Sequence, residues 1–257
     1  MSPAVIGIVL IAALFAGMLI LFEAGRRIGV RHLQRDPNGA PAGIGTLEGA
    51  VFALLGLLIA FTFSGAAARF DTRRLQIVDE ANAIGTAYLR VDLLPEASRP
   101  AMRERFRTYV DLRLDVYRKL PDLAAVKLAL DRSTALQGEI WSQAVAGCRA
   151  ESSPCAMLLL PALNQMIDIT TTRTVAAEIH APWIVFALLF ALALVASLLA
   201  GYGSAGSRTH SWTHVLVFVA IMTASIYLIL DLEYPRFGLI KLDPFDQVLI
   251  DVRQNMK

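Results

Sequence analysis

Four long apolar runs alternate with polar, charge-bearing stretches: residues 3–22, 49–68, 182–202 and 213–230. The first carries no charge, the second is bracketed by Glu48 and Arg69, the third follows His180, and the fourth closes at Asp231. Crossing a bilayer takes about 20 apolar residues at 1.5 Å rise each. Inside hydrocarbon the backbone must satisfy its own hydrogen bonds, so each run predicts a transmembrane helix. Buried helices of a water-soluble core are the competing explanation, and four such runs in one chain weigh against it. The first run has no Lys or Arg ahead of it and no small-x-small cleavage site before Glu23. It therefore predicts a retained helix, not a signal peptide.

The pattern changes between the second and third runs. Residues 71–94 contain no proline and only Gly85 as a helix-weakening residue, so the second membrane helix is expected to run on beyond the membrane until Pro95. Ser98 is expected to cap the next helix, with Pro100 near its start. There Met102, Phe106, Tyr109, Val110, Tyr117 and Leu120 recur at three and four, an apolar stripe. Arg103, Arg105, Arg107, Arg113 and Arg118 are expected on the wetter side. A further helix follows Asp122, a break is expected at 147–154, and a last helix leads through Pro182 into the third membrane helix. The tail segment Asp243-Pro244-Phe245-Asp246 has the order cap, first-turn proline, acid, and predicts a short amphipathic helix with Phe245, Val248, Leu249 and Val252 on one face. That face must dock on the membrane surface, the insert or a neighbouring subunit. Strand signals are absent, so the chain reads as an all-α integral membrane protein with four transmembrane helices and a helical extramembrane domain inserted between the second and third. The expected parts are 1–68 (first helix, basic loop, second helix), 69–181 (insert), 182–231 (a hairpin of the third and fourth helices) and 232–257 (tail).

Composition sharpens this reading. Of 257 residues 56% are hydrophobic and 18% charged, with a net charge of +2, which gives no footprint for nucleic acid. Arg26, Arg27, Arg31, Arg35 and Arg208 fall on one side of the membrane. Arg69, Arg73, Arg74, Arg173, Arg236 and Lys241 fall on the other, so counting basic residues sets no orientation. Cys148 and Cys155 flank six residues. A bridge between them would need an oxidising compartment, spacing alone does not pair them, and two free thiols is the simpler expectation.

Candidate chemistry concentrates on the second run. Gly49, Ala53, Gly56, Ala60 and Ser64 form a ridge of small residues along one helix face, which lets backbones approach closely. Phe52, Leu55, Ile59 and Phe63 lie on other faces. Either the ridge simply packs and the bulky residues meet lipid, or several copies surround an axis and Phe52, Ile59 and Phe63 form a constriction that gates by dewetting. Glu48 would then sit at a pore mouth, although its place at a helix start is also explained by the helix dipole. Glu80, Asn82, Asp231, Glu233 and Arg236 are candidates for a polar network docking the loop after the fourth helix on the extension of the second. Thr170, Thr171, Thr172 and Thr174 form a polar stripe around Arg173, and Gly85 is a candidate for close helix contact. Gly201-Tyr202-Gly203 is not read as a potassium filter, because it ends a membrane helix. His32, His180, His210 and His214 lack neighbouring ligands for a metal, and no enzyme motif occurs, so neither a cofactor nor catalysis is expected.

Several stretches carry a family resemblance: EGAVFALLG at 48–56, FTFS at 61–64, RFD at 69–71, EANAIGTAYLR at 80–90, ITTTR at 169–173 and DLEYPRFG at 231–238. Together they resemble the bacterial bestrophin-like family of membrane proteins. Bestrophins are pentameric anion channels with four membrane helices, a helical cytosolic domain between the second and third, and a pore lined by the second. The resemblance therefore implies an oligomeric ion channel in the bacterial inner membrane, self-associated as a tetramer or pentamer, with chloride as a candidate ion. It also implies an insert and termini in the cytosol. No residues match a calcium clasp, so calcium gating is not expected. The alternative function is a non-conducting membrane scaffold or sensor whose insert binds a partner.

Overall fold

The computed structural model describes residues 3–35, 44–120, 122–150, 153–206, 211–236 and 238–256. The turn expected at 36–41, residues 207–210 of the link between the third and fourth runs, and Phe237 lie outside these. Among the described residues eight α-helices follow one another: α1 (Pro3–Arg35), α2 (Ile44–Leu89), α3 (Arg99–Arg118), α4 (Leu123–Ala150), α5 (Ser153–Glu178), α6 (Trp183–Gly203), α7 (Trp212–Glu233) and α8 (Gln247–Asn255). Short 3-10 turns occupy Arg90–Leu93, Glu96–Ser98, Ser204–Gly206 and Asp243–Asp246, and no strand occurs among the described residues. Four helical stretches, containing α1, α2, α6 and α7, are long and apolar enough to cross a membrane. The chain divides into two compact units, residues 1–68 with 180–238, and residues 69–179 with 239–257.

In the first unit the main partner of α6 is α1, whereas α6 and α7 touch only sparsely. The hairpin expected from their short link is thus a minor contact. The reason is glycine. A Cβ on Gly25 would collide with the backbone carbonyl of Leu198, and one on Gly201 with the backbone carbonyl of Phe22. A Cβ on Gly29 would come within 2.8 Å of the Tyr202 carbonyl oxygen. Gly25 and Gly29 are four apart, the small-xxx-small spacing of close membrane-helix pairs. Pairings rise together along both helices, Gly17 with Leu194 and Gly29 with Ala205, so α1 and α6 run parallel. At the centre Ser197 donates to the Met18 carbonyl at 2.7 Å, which keeps a buried hydroxyl satisfied.

The second unit has its own core. Ile77, Ile84, Ala87 and Val91 join Met102, Phe106, Tyr109, Val110, Ile140, Leu159, Leu163 and Met166. α2 is one uninterrupted helix of 46 residues, about 70 Å at 1.5 Å per residue, more than twice a ~30 Å hydrocarbon layer. α4 is capped as its sequence suggests, with Asp122 Oδ1 accepting the N–H groups of Ala124 and Ala125 at 3.1 and 3.0 Å.

Four local expectations are corrected. Ser98 makes no side-chain cap, because it ends a 3-10 turn already in helical conformation. Asp243 lies inside a 3-10 turn that precedes α8, and is not a cap. Helix α4 continues to Ala150, and the reversal into α5 brings Cys148 and Cys155 to a Cα separation of 5.2 Å, where they form a disulfide. The expectation of two free thiols is overturned. Gly85 serves no close contact, since a Cβ there would meet nothing within 4 Å. Replacing Gly85 with Ala is therefore expected to stabilise the protein by up to about 1 kcal/mol through helix propensity, read as a rise in Tm in detergent.

The tail docks on the insert. Leu249 is fully buried, and Leu242 and Met256 join the insert's core. Arg253 donates two hydrogen bonds to the Asp111 carboxylate at 2.9 and 3.0 Å. The Arg74 guanidinium lies 5.2 Å from the Phe245 ring centroid.

Candidate pore helix and buried charge clusters

The membrane part of α2 has two unlike faces. Leu55 and Ala66 are buried. On the opposite side Gly49, Ala53, Gly56, Ala60 and Ser64 are all exposed, in company with Leu57 and Phe61. A Cβ on Gly49 or Gly56 would meet nothing within 4 Å. The small-residue ridge thus stays uncovered by the described residues. The three bulky candidates differ. Phe52 is half-buried and edge-on to Phe218 of α7, ring centroids 6.0 Å apart. Ile59 is half-buried, and Phe63 is 41% exposed beside the ridge. Glu48 is half-buried, with its carboxylate against Gly203 at the end of α6, 2.8 Å from where a Cβ would stand.

The insert buries a charge cluster. Glu80 on α2 is fully buried, and Arg113 on α3 and Arg173 on α5 are nearly so. Arg113 Nε donates to Glu80 Oε1 at 2.5 Å, and Arg113 Nη2 to the Tyr117 hydroxyl at 3.0 Å. Arg173 Nη1 bonds Glu80 Oε2, and its guanidinium lies 4.6 Å from the Tyr117 ring centroid. Two guanidinium groups thus share one buried carboxylate. Such clusters hold three helices in one register, because each charge is tolerable only while its partners stay in place. A neutral network lies one turn away. Tyr109 and Thr170 hydroxyls are 2.9 Å apart, and Gln137 donates to both at 2.9 and 3.2 Å. Of the threonine stripe only Thr170 enters this core, while Thr171 and Thr172 are exposed. Arg73, also buried, donates to the carbonyls of Ala176 and Ile179 and so satisfies the end of α5.

The membrane-side unit has a separate acidic site. Glu233 is fully buried, and its Oε1 accepts the Ala181 N–H at 2.7 Å, with His180 Nδ1 at 3.6 Å. His180 stacks on Tyr234, centroids 4.4 Å apart. Asp231 is buried, with the Tyr227 hydroxyl 3.5 Å from Oδ1, and its carboxylate fills the space a Cβ on Gly238 would need. Glu233 thereby ties the chain just before α6 to the end of α7. Glu80 and Asn82 belong to the insert unit and Asp231, Glu233 and Arg236 to the membrane-side unit. Asn82 is exposed, on the side of α2 away from Glu80.

Placing Arg113 on the wet side of α3 is the main correction. It stands seven residues after Phe106 and four after Tyr109, squarely in the apolar stripe. That spacing was the signal for its burial.

A bestrophin-like domain model matches residues 12–244, most of the chain. The chain belongs to the bestrophin-like family. No curated protein matches it. Among solved structures, a crystal structure of a bacterial bestrophin homolog from Klebsiella pneumoniae, carrying a tryptophan-to-alanine mutation, superposes with a TM-score of 0.71. That likeness covers 96% of each chain at 15% identity, and at that identity it speaks for the fold. This bestrophin-like chain is thus an all-α membrane protein of an ion-channel family, not of an enzyme family.

Proposed function

We propose that this protein is a homo-oligomeric ion channel, a tetramer or pentamer, in which α2 lines a hydrophobically constricted pore that favours anions. The observation that carries the reading is the uncovered ridge of Gly49, Ala53, Gly56, Ala60 and Ser64 in a bestrophin-like chain. Small residues gain little from lipid tails and much from another helix backbone, so copies of α2 are the natural partners. Phe63, exposed beside the ridge, is the favoured constriction residue; Ile59 is next, and Phe52, already packed on Phe218, is third. The anion preference is supported by the buried charge of the insert, where Arg73, Arg113 and Arg173 outnumber Glu80 among the described residues.

The test is single-channel recording of purified protein in planar bilayers, beside its mass in detergent. Phe63→Ala is expected to raise unitary conductance several-fold, because dewetting barriers fall as an apolar neck widens. Ile59→Ala should act in the same direction and Phe52→Ala least. Unchanged conductance in all three, or a monomer in solution, would move the reading to a membrane scaffold or sensor.

A further inference from the structure

Two buried polar atoms of the insert have no partner among the described residues, and the helix register brings them to one level. They are Nη1 of Arg113 on α3 and the Ser133 hydroxyl on α4, each on a residue 1% exposed. Other helix hydroxyls of the insert show the bond that Ser133 lacks. Thr108, Ser142, Thr172 and Thr174 each donate back to the carbonyl four residues earlier. A polar group buried in a folded core without a protein partner calls for a water or an ion.

Helices α3 and α4 run antiparallel. Arg105 pairs with Glu139 at 3.5 Å, and the Tyr109 hydroxyl accepts from Gln137 at 2.9 Å. One turn forward from Tyr109 on α3 is Arg113, and one turn back from Gln137 on α4 is Ser133. Both steps advance about 6 Å in the same direction, so the two residues share the next layer. Helix α5 contributes to both layers, Thr170 to the first and Arg173 to the second. In the second layer Arg113 engages Glu80 through Nε and Tyr117 through Nη2, and Arg173 takes Glu80 Oε2. One carboxylate therefore serves two guanidinium groups, while Arg113 Nη1 and the Ser133 hydroxyl carry hydrogens with no acceptor among the described residues.

We propose that Arg113 and Ser133 hold a small monovalent anion, chloride being the species that fits, in the core of the insert. The site offers N–H and O–H donors beside two guanidinium groups, which suits a negatively charged guest that only accepts. A water there would have to place its own two hydrogens, and both Glu80 oxygens already accept from arginine. Size selects within the class. Ala129 and Gln137, one turn to either side of Ser133, are buried, and close-packed interiors leave no room for a phosphate or sulfate. The anion ties α3 to α4 beside the Glu80 cluster, so the stability of the insert depends on halide. This site lies on α3 and α4, away from the α2 ridge, and is independent of conduction.

Thermal unfolding of the full chain in detergent tests it, with chloride exchanged for gluconate at constant ionic strength. A ligand that binds only the folded state raises Tm, by about 3 °C or more at roughly ten times its half-saturating concentration. Ser133→Ala removes one donor to the anion and is expected to raise the chloride concentration for half of the effect about tenfold. Ser133→Asp sets a tethered carboxylate beside Arg113, and its Tm is expected to be the same in both salts. Chloride held elsewhere, a pore included, would act equally on the Ser133→Ala protein. An equal response of that protein and the unsubstituted one, or no chloride dependence in either, would overturn the proposal. Should the substituted proteins not fold, crystals of the unsubstituted chain grown in bromide decide the matter. An anomalous peak between Arg113 Nη1 and Ser133 Oγ is expected, and its absence would rule the site out.

Discussion

Glu80→Gln is expected to unfold the insert or bring it close to unfolding. The substitution leaves Arg113 and Arg173 buried with no carboxylate between them. Removing one partner of a buried ion pair costs on the order of 3–5 kcal/mol, because the remaining charge has lost its compensation without regaining water. A whole domain is stable by only about 5–15 kcal/mol. The readouts are the Tm in detergent and the rate of proteolysis within residues 69–179. Asp79→Ala, one residue away but exposed, should change stability by less than about 0.5 kcal/mol. Replacing Glu80, Arg113 and Arg173 together with leucine should recover much of the loss, since apolar groups of similar size can replace a buried charged triad. Equal, small effects of Glu80→Gln and Asp79→Ala would contradict the cluster's role.

Gly201→Ala and Gly25→Ala are expected to disrupt the membrane-side unit. Each added methyl meets a backbone carbonyl of the partner helix, Phe22 or Leu198, which cannot swing aside as a side chain can. Overpacking typically costs about 1–3 kcal/mol, and a backbone obstacle puts these two at the upper end. Gly7→Ala on the same helix α1 is the control, since a methyl there meets nothing within 4 Å. A lowered Tm for the first two substitutions and an unchanged one for the third is the predicted pattern. The same Tm for all three would mean that α1 and α6 are not in close contact.

Much of this architecture is legible in the chain. Four apolar runs locate the membrane helices because backbone satisfaction in hydrocarbon leaves no alternative. The α3 stripe marks the insert's core, and the same arithmetic places Arg113 in it. A charged residue type suggests a wet position, but here Glu80 and Arg173 arrive from distant segments to satisfy it. The pairing of Gly25 and Gly29 with α6 is harder to read, because the two residues between them that draw attention, Arg26 and Arg27, mark a membrane edge. The ridge on α2 was visible at once, but what covers it was not. A small-residue face specifies close approach without naming the partner, and among the described residues no helix takes that place. The cysteine pairing depends on where α4 ends, and Gly147, which suggested a break, stays inside the helix.

Conduction along the α2 ridge is open to direct measurement as ion flux from liposomes. Purified, oligomeric protein would be reconstituted, with chloride and potassium gradients imposed separately. Flux is expected to be faster for chloride than for potassium and to rise in Phe63→Ala. An absence of flux under both gradients, in the substituted protein as well as the unsubstituted one, would contradict it.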